Sequence, residues 1–184
     1  MKYSIIKIQE EIRNGSPLEF LFFWENRPVS GKEAFEETLS QWWESRFEKD
    51  GIIYSSAEKW MMAEKARLFG DDDVLRQILL SDNPEKIKKL GREIRGFDHE
   101  IWDKNKYSIV MEGNVLKFSQ DEKLKNILLK TGDKILVEAS PYDRIWGIGM
   151  SKSDPDRFFP EKWKGENLLG FALMEVRDIL NSAG

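Results

Sequence analysis

Apolar positions along this chain recur mostly at helical spacing, interrupted by a few short continuous runs. Leu18 to Trp24, an unbroken aromatic-rich LEFLFFW, predicts a buried strand. Short strands are also expected at Ser4 to Lys7, at Gly51 to Tyr54 and at Lys134 to Ala139. The stretch NRPVSGKEAF reads as a loop punctuated by Pro28 and Gly31, and Leu39 to Phe47 as irregular or extended chain. A helix is expected over about Ser56 to Leu68, with Trp60, Ala63 and Arg67 on one face and Glu58, Met62 and Lys65 on another. Helices should follow in DVLRQILL and in PEKIKKLGREI, where Pro84 opens the first turn and loses no useful donor. Another should restart at GFDHE and run through Trp102 to about Phe118, and another through EKLKNILLK, capped by Asp121 and stopped at Thr131-Gly132. The last, Leu168 to Leu180, aligns Leu169, Leu173, Val176 and Leu180 as a core stripe.

Strands and helices do not alternate, which argues against a doubly wound parallel sheet. The fold class expected is α+β, predominantly helical, with a small sheet of short strands. The 184 residues show no repeat or convincing linker and fit one compact domain over 1–184. The segment from Ser140 to Asn167, rich in Gly, Pro and Asp, is long for a loop and carries Trp146 and Trp163, so a functional role is expected there.

Composition narrows the chemistry. Forty per cent hydrophobic and 34 per cent charged residues are ordinary for a soluble globular chain, and the formal net charge of −4 gives no general attraction to polyanions. There is no cysteine, and His99 is the one histidine, which excludes thiolate chemistry and argues against a zinc site or a histidine triad. No membrane span or secretory leader is legible, so a cytoplasmic protein is expected. Seven tryptophans exceed what a core needs and suggest flat walls for bases or sugars, with about half of them serving as core or surface cover.

Four stretches carry candidate chemistry. In YSSAEKW, Ser55 and Glu58 have capping-box spacing, so Glu58 is read either as a helix cap or as a catalytic carboxylate. Lys65 lies two turns along the same face, within reach of a shared anion. In PYDRIWGIG, Asp143 follows a strand in a loop whose glycines permit close approach; it is read as a turn residue or a catalytic group. Lys88, Arg92 and Arg95 have the spacing of one basic helix face, either solvated or clamping phosphates. Asn167 is a plausible N-cap, and Gly170 inside the last helix implies close packing or a close ligand.

Together these stretches, YSSAEKWMMAEKARLFGD, GREIRGFDHEIWD, ILVEASPYDRIWGIG and NLLGFALMEVRD, resemble the NADAR (YbiA-like) family in order and spacing, over about Glu19 to Leu180. The resemblance implies a mainly helical α+β domain that cleaves ribose–nitrogen bonds without cofactor or metal. Its substrates would be ADP-ribose on guanine, including on nucleic acid, or ribosylamine phosphates of the riboflavin route. A non-catalytic reader of ADP-ribose or NAD is the rival. By the resemblance, Glu58 and Asp143 are catalytic, while Lys65, Arg92, Trp102, Trp146, Gly147 and Asn167 bind substrate. The chain departs from some members at Lys59-Trp60, where they have His-Tyr, and in a longer segment between Gly149 and Glu166.

Overall fold

The computed structural model describes residues 1–25 and 33–182. The loop expected around Pro28 and Gly31 lies outside them. The chain forms two units, Gln41–Glu122 in one and Met1–Ser40 with Lys123–Gly184 in the other.

In the discontinuous unit, Ile5, Ile8 and Ile12 stand three and four residues apart, and this stripe makes α1 (Ile5–Arg13) a helix. The strand expected at Ser4 to Lys7 is therefore corrected: Ser4 is the N-cap, its hydroxyl accepting from the Lys7 amide at 3.3 Å. Four residues cannot distinguish a period of two from one of 3.6, whereas the full run to Ile12 can. The aromatic run yields β1 (Phe20–Phe23). After α6 (Glu122–Leu129), β4 (Ile135–Glu138) pairs with β1 in parallel, Phe20 opposite Ile135 and Phe23 opposite Glu138. Helix α7 (Leu168–Ser182) packs on β4. Gly170 sets how closely: a Cβ there would lie 2.1 Å from the Leu136 carbonyl oxygen.

The continuous unit begins with a hairpin, β2 (Phe47–Lys49) and β3 (Ile52–Tyr54), closed by Asp50 and Gly51, both at positive φ as a two-residue turn of this kind requires. Then come α2 (Ala57–Leu68), α3 (Asp72–Leu79), α4 (Pro84–Arg92) and α5 (His99–Ser119). Helix α2 is the centre. Eight of its twelve residues are buried, and α3, α4 and α5 all pack on it. Two glycines let the neighbours approach: a Cβ on Gly91 of α4 would fall 2.0 Å from the Met62 sulfur, and one on Gly113 of α5 2.3 Å from the Trp60 ring. Trp60 in turn packs edge-on against Tyr54 and at a tilt against Phe47 of the hairpin.

The expected basic face on α4 is also corrected. Arg95 lies past the helix end, where its guanidinium and amide bind the buried Asp71 carboxylate at 2.6–3.1 Å. Asp71 also caps α3 through the Val74 amide. Lys88 instead sits over the Trp42 ring.

Alanine at Gly113 should destabilise the protein by about 1–3 kcal/mol in urea unfolding, because overpacking against Trp60 outweighs the helix-propensity gain. The Arg95 ion pair holds the Asp71 carboxyl below the ordinary carboxylate range, so its stabilisation is complete above about pH 4 and is lost as the group protonates at lower pH. Asp71→Asn should flatten the fall of the urea midpoint between about pH 4 and pH 2.

Candidate active site

The hydroxyl that caps α2 belongs to Ser56, which accepts from the Lys59 amide at 3.1 Å. The cap is therefore one residue later than Ser55–Glu58 spacing suggests, and the third helical position holds Lys59. Glu58 is not the carboxylate arm of that capping box. It stands in the first turn of α2, 5% exposed, with its own amide donating to the Gln41 carbonyl at 2.9 Å. A buried carboxylate at a helix N-terminus lies in the favourable end of the helix dipole.

Two turns on, Lys65 is half-buried. Its ammonium donates to the Gly91 carbonyl at 2.8 Å and lies 4.3 Å from the Phe97 ring centroid and 5.4 Å from that of Trp102. Burial lowers the Lys65 pKa from lysine's ordinary value, and the charge on Glu58 opposes that shift. Arg92 follows Gly91 at the exposed end of α4. The structure thus brings Glu58, Lys65, Arg92 and Trp102 into one unit, on α2 and the two helices that clasp it. Phe97, which no helical pattern marks, completes the arrangement from the turn before α5 and carries His99 edge-on at 4.8 Å. A buried carboxyl group, a half-buried lysine and aromatic faces therefore share this part of the unit.

The other expected residues lie in the discontinuous unit. The Asp143 Oδ1 accepts from the Ile145 and Trp146 amides at 2.8 and 2.7 Å, an Asx turn that orders its own loop. Gly147 is buried, and its missing side chain admits the Glu138 carbonyl, which a Cβ would meet at 2.7 Å. Asn167 is fully buried at φ 55°. Its amide group accepts from the Glu138 N–H and donates to the Leu136 carbonyl, both at 3.0 Å, extending the edge of β4 by one side chain. Trp146 is half-buried in the same loop.

The segment from Ser140 to Asn167 is folded upon itself. Ile145, Trp146 and Gly147 accept backbone bonds from Leu168, Leu169 and Asn167 respectively. Trp163 donates its indole N–H to the Arg157 carbonyl and packs edge-on against Phe20. Of the seven tryptophans Trp60 is buried and the other six are partly exposed. Among the described residues no three His, Asp or Glu side chains cluster to hold a metal ion, and no helix is long and apolar enough to cross a membrane.

A buried carboxylate and a half-buried lysine with a lowered pKa on one helix of an α+β fold make a candidate functional site. The chain belongs to the NADAR family, whose domain description matches residues 22–181. It is 44% identical over 165 residues to N-glycosidase R617 of Acanthamoeba polyphaga mimivirus, covering 87% of this chain and 95% of that one. An N-glycosidase of Nostoc punctiforme is 32% identical over 139 residues, covering 73% of this chain and 82% of its own. The fold matches the solution structure of the Escherichia coli protein YbiA with a TM-score of 0.72 at 23% identity, over 90% of this chain and 86% of that one.

Replacing Glu58 by glutamine should lower the Lys65 pKa further, since only the opposing charge is removed. Lysine side-chain NMR titration of the two proteins reads this directly; an unchanged Lys65 would mean the two groups do not interact.

Proposed function

We propose that this chain, working as one domain over residues 1–184, hydrolyses the N-glycosidic bond joining ADP-ribose to guanine or a related base adduct. That it is an N-glycoside hydrolase follows from its curated relatives, which are named for that activity. The observation that carries the catalytic assignment is the placement of Glu58, buried in the first turn of α2 and in electrostatic contact with Lys65.

Breaking a ribosyl C–N bond sends its electron pair to the base nitrogen, which takes up a proton, and leaves oxocarbenium character at the anomeric carbon. The Glu58 carboxylate stabilises that charge and accepts the proton of the attacking water, whose oxygen becomes the new hydroxyl. Lys65 and Arg92 hold phosphate oxygens, and Trp102 offers a ring wall. Asp143, with one carboxylate oxygen holding two amides, acts by ordering the loop that carries Trp146 and Gly147. Asn167 acts in the same way, through β4. The choice of ADP-ribose over a ribosylamine monophosphate rests on two cations and several partly exposed tryptophans, more than a single phosphate and a small base need. A cytoplasmic location and an ADP-ribosylated nucleic acid end as substrate belong to the same reading.

Glu58→Gln preserves shape and removes the charge, and should cut kcat by at least about 100-fold with the fold intact by circular dichroism. Turnover near that of the unaltered protein would overturn the assignment. Parallel chromatographic assays with guanine-linked ADP-ribose and a pyrimidine ribosylamine phosphate decide the substrate. Hydrolysis of the second alone refutes the first, and binding of ADP-ribose without product over hours would make the protein a reader.

A further inference from the structure

Just ahead of Glu58 the continuous unit holds a cavity of about 190 Å³ that none of the roles above uses. Trp42, Glu44, Arg46, Ser55, Ser56 and Asp82 line it. Its volume falls below the roughly 300 Å³ at which sites for drug-sized ligands begin, so it suits a single ring system and not a whole dinucleotide. Its position is tied to the catalytic carboxylate by backbone. Gln41, whose carbonyl accepts the Glu58 amide, immediately precedes Trp42, and Ser56 is the cap of the helix that carries Glu58.

The lining has a definite chemical character. Trp42 is partly exposed and supplies the flat wall, with the Lys88 ammonium 5.0 Å from its ring centroid. Glu44 and Asp82 are exposed carboxylates. Asp82 is held from beneath: the Lys59 ammonium, on a side chain only 4% exposed, donates to it at 2.9 Å. A carboxylate fixed by a buried cation is a preorganised acceptor, and Arg46 adds a fork of donors beside it.

We propose that this cavity is a guanine-recognition pocket, the subsite for the leaving base of the reaction above, with Trp42 as stacking wall, Asp82 and Glu44 as acceptors and Arg46 as donor. Guanine is the base whose N1–H and exocyclic amine form two adjacent donors with the O6 acceptor beside them. Two carboxylates and an arginine match that edge. Adenine alternates donor and acceptor along the same edge and would set its N1 lone pair against a carboxylate. A pyrophosphate would meet two carboxylates, whereas Lys65 and Arg92 offer it cations. The inference rests on the guanine reading and specifies where that base is held.

Calorimetric titration of the full chain with guanosine, inosine and adenosine tests the pocket independently of catalysis. Guanosine should bind, and inosine, lacking the exocyclic amine, should bind about ten- to a hundred-fold more weakly, as for loss of a hydrogen bond to a charged group. Trp42→Ala and the Glu44→Gln, Asp82→Asn double variant should lose guanosine binding by at least as much, and should raise KM for guanine-linked ADP-ribose more than they lower kcat. Equal affinity for guanosine and inosine, or variants that bind guanosine and turn over substrate unchanged, would overturn the pocket and leave the hydrolase reading standing. Discriminating guanosine binding by a protein that cannot cleave guanine-linked ADP-ribose would do the reverse.

Discussion

Everything proposed for this protein depends on the burial of one helix that should not, by its composition, be buried. Helix α2 carries Glu58, Lys59, Glu64, Lys65 and Arg67 among twelve residues, yet three other helices cover it. Such a helix is stable only where each charge finds a partner or reaches solvent. Lys59 reaches Asp82, Arg67 pairs with Glu64, and Lys65 meets a carbonyl and two aromatic rings. The same close clasp, allowed by Gly91 and Gly113, makes the environment dry enough to lower the pKa of Lys65 and to raise that of Glu64.

That arrangement gives the two ends of α2 different duties. Its first turn holds a buried carboxylate with its amide anchored to Gln41, and its last turn holds a lysine fixed by Phe97 and Trp102. Rigid placement of a charge is worth more to catalysis than the charge itself, since a positioned group needs no reorganisation as the bond breaks. In the other unit two polar side chains hold backbone groups. Asn167 and Asp143 satisfy backbone donors and acceptors that a strand end and a tight loop would otherwise leave unpaired.

Much of this was legible in the sequence wherever a pattern ran long enough. The stripe in α7, the proline-led start of α4 and the isolated run ILVE all appear as expected. Short windows failed, as α1 shows, because four residues fit two periods. The Ser55–Glu58 spacing failed differently: two adjacent serines offer two caps one residue apart, and spacing alone does not choose between them. The Asp50-Gly51 pair, flanked by Ile52 and Ile53, is itself a hairpin signal in the sequence. Phe97 and the Trp42 cavity carry no local signal at all. They arise only when α4, α5 and the segment before the hairpin converge on α2.

The division of the chain has a consequence for the order of events during synthesis. Residues 41–122 are continuous and rich in local helix contacts, so that unit can fold as soon as it leaves the ribosome. The other cannot. Strand β1 has its partner β4 more than a hundred residues downstream, and α7, the helix that covers β4, follows some thirty residues later still. Until then the aromatic run FLFF waits as an unpaired, hydrophobic strand, the kind of segment on which chaperones and aggregation compete. Newborn chains stalled before α7 should therefore be the vulnerable species, already carrying Glu58 in a folded setting while their first strand stays exposed.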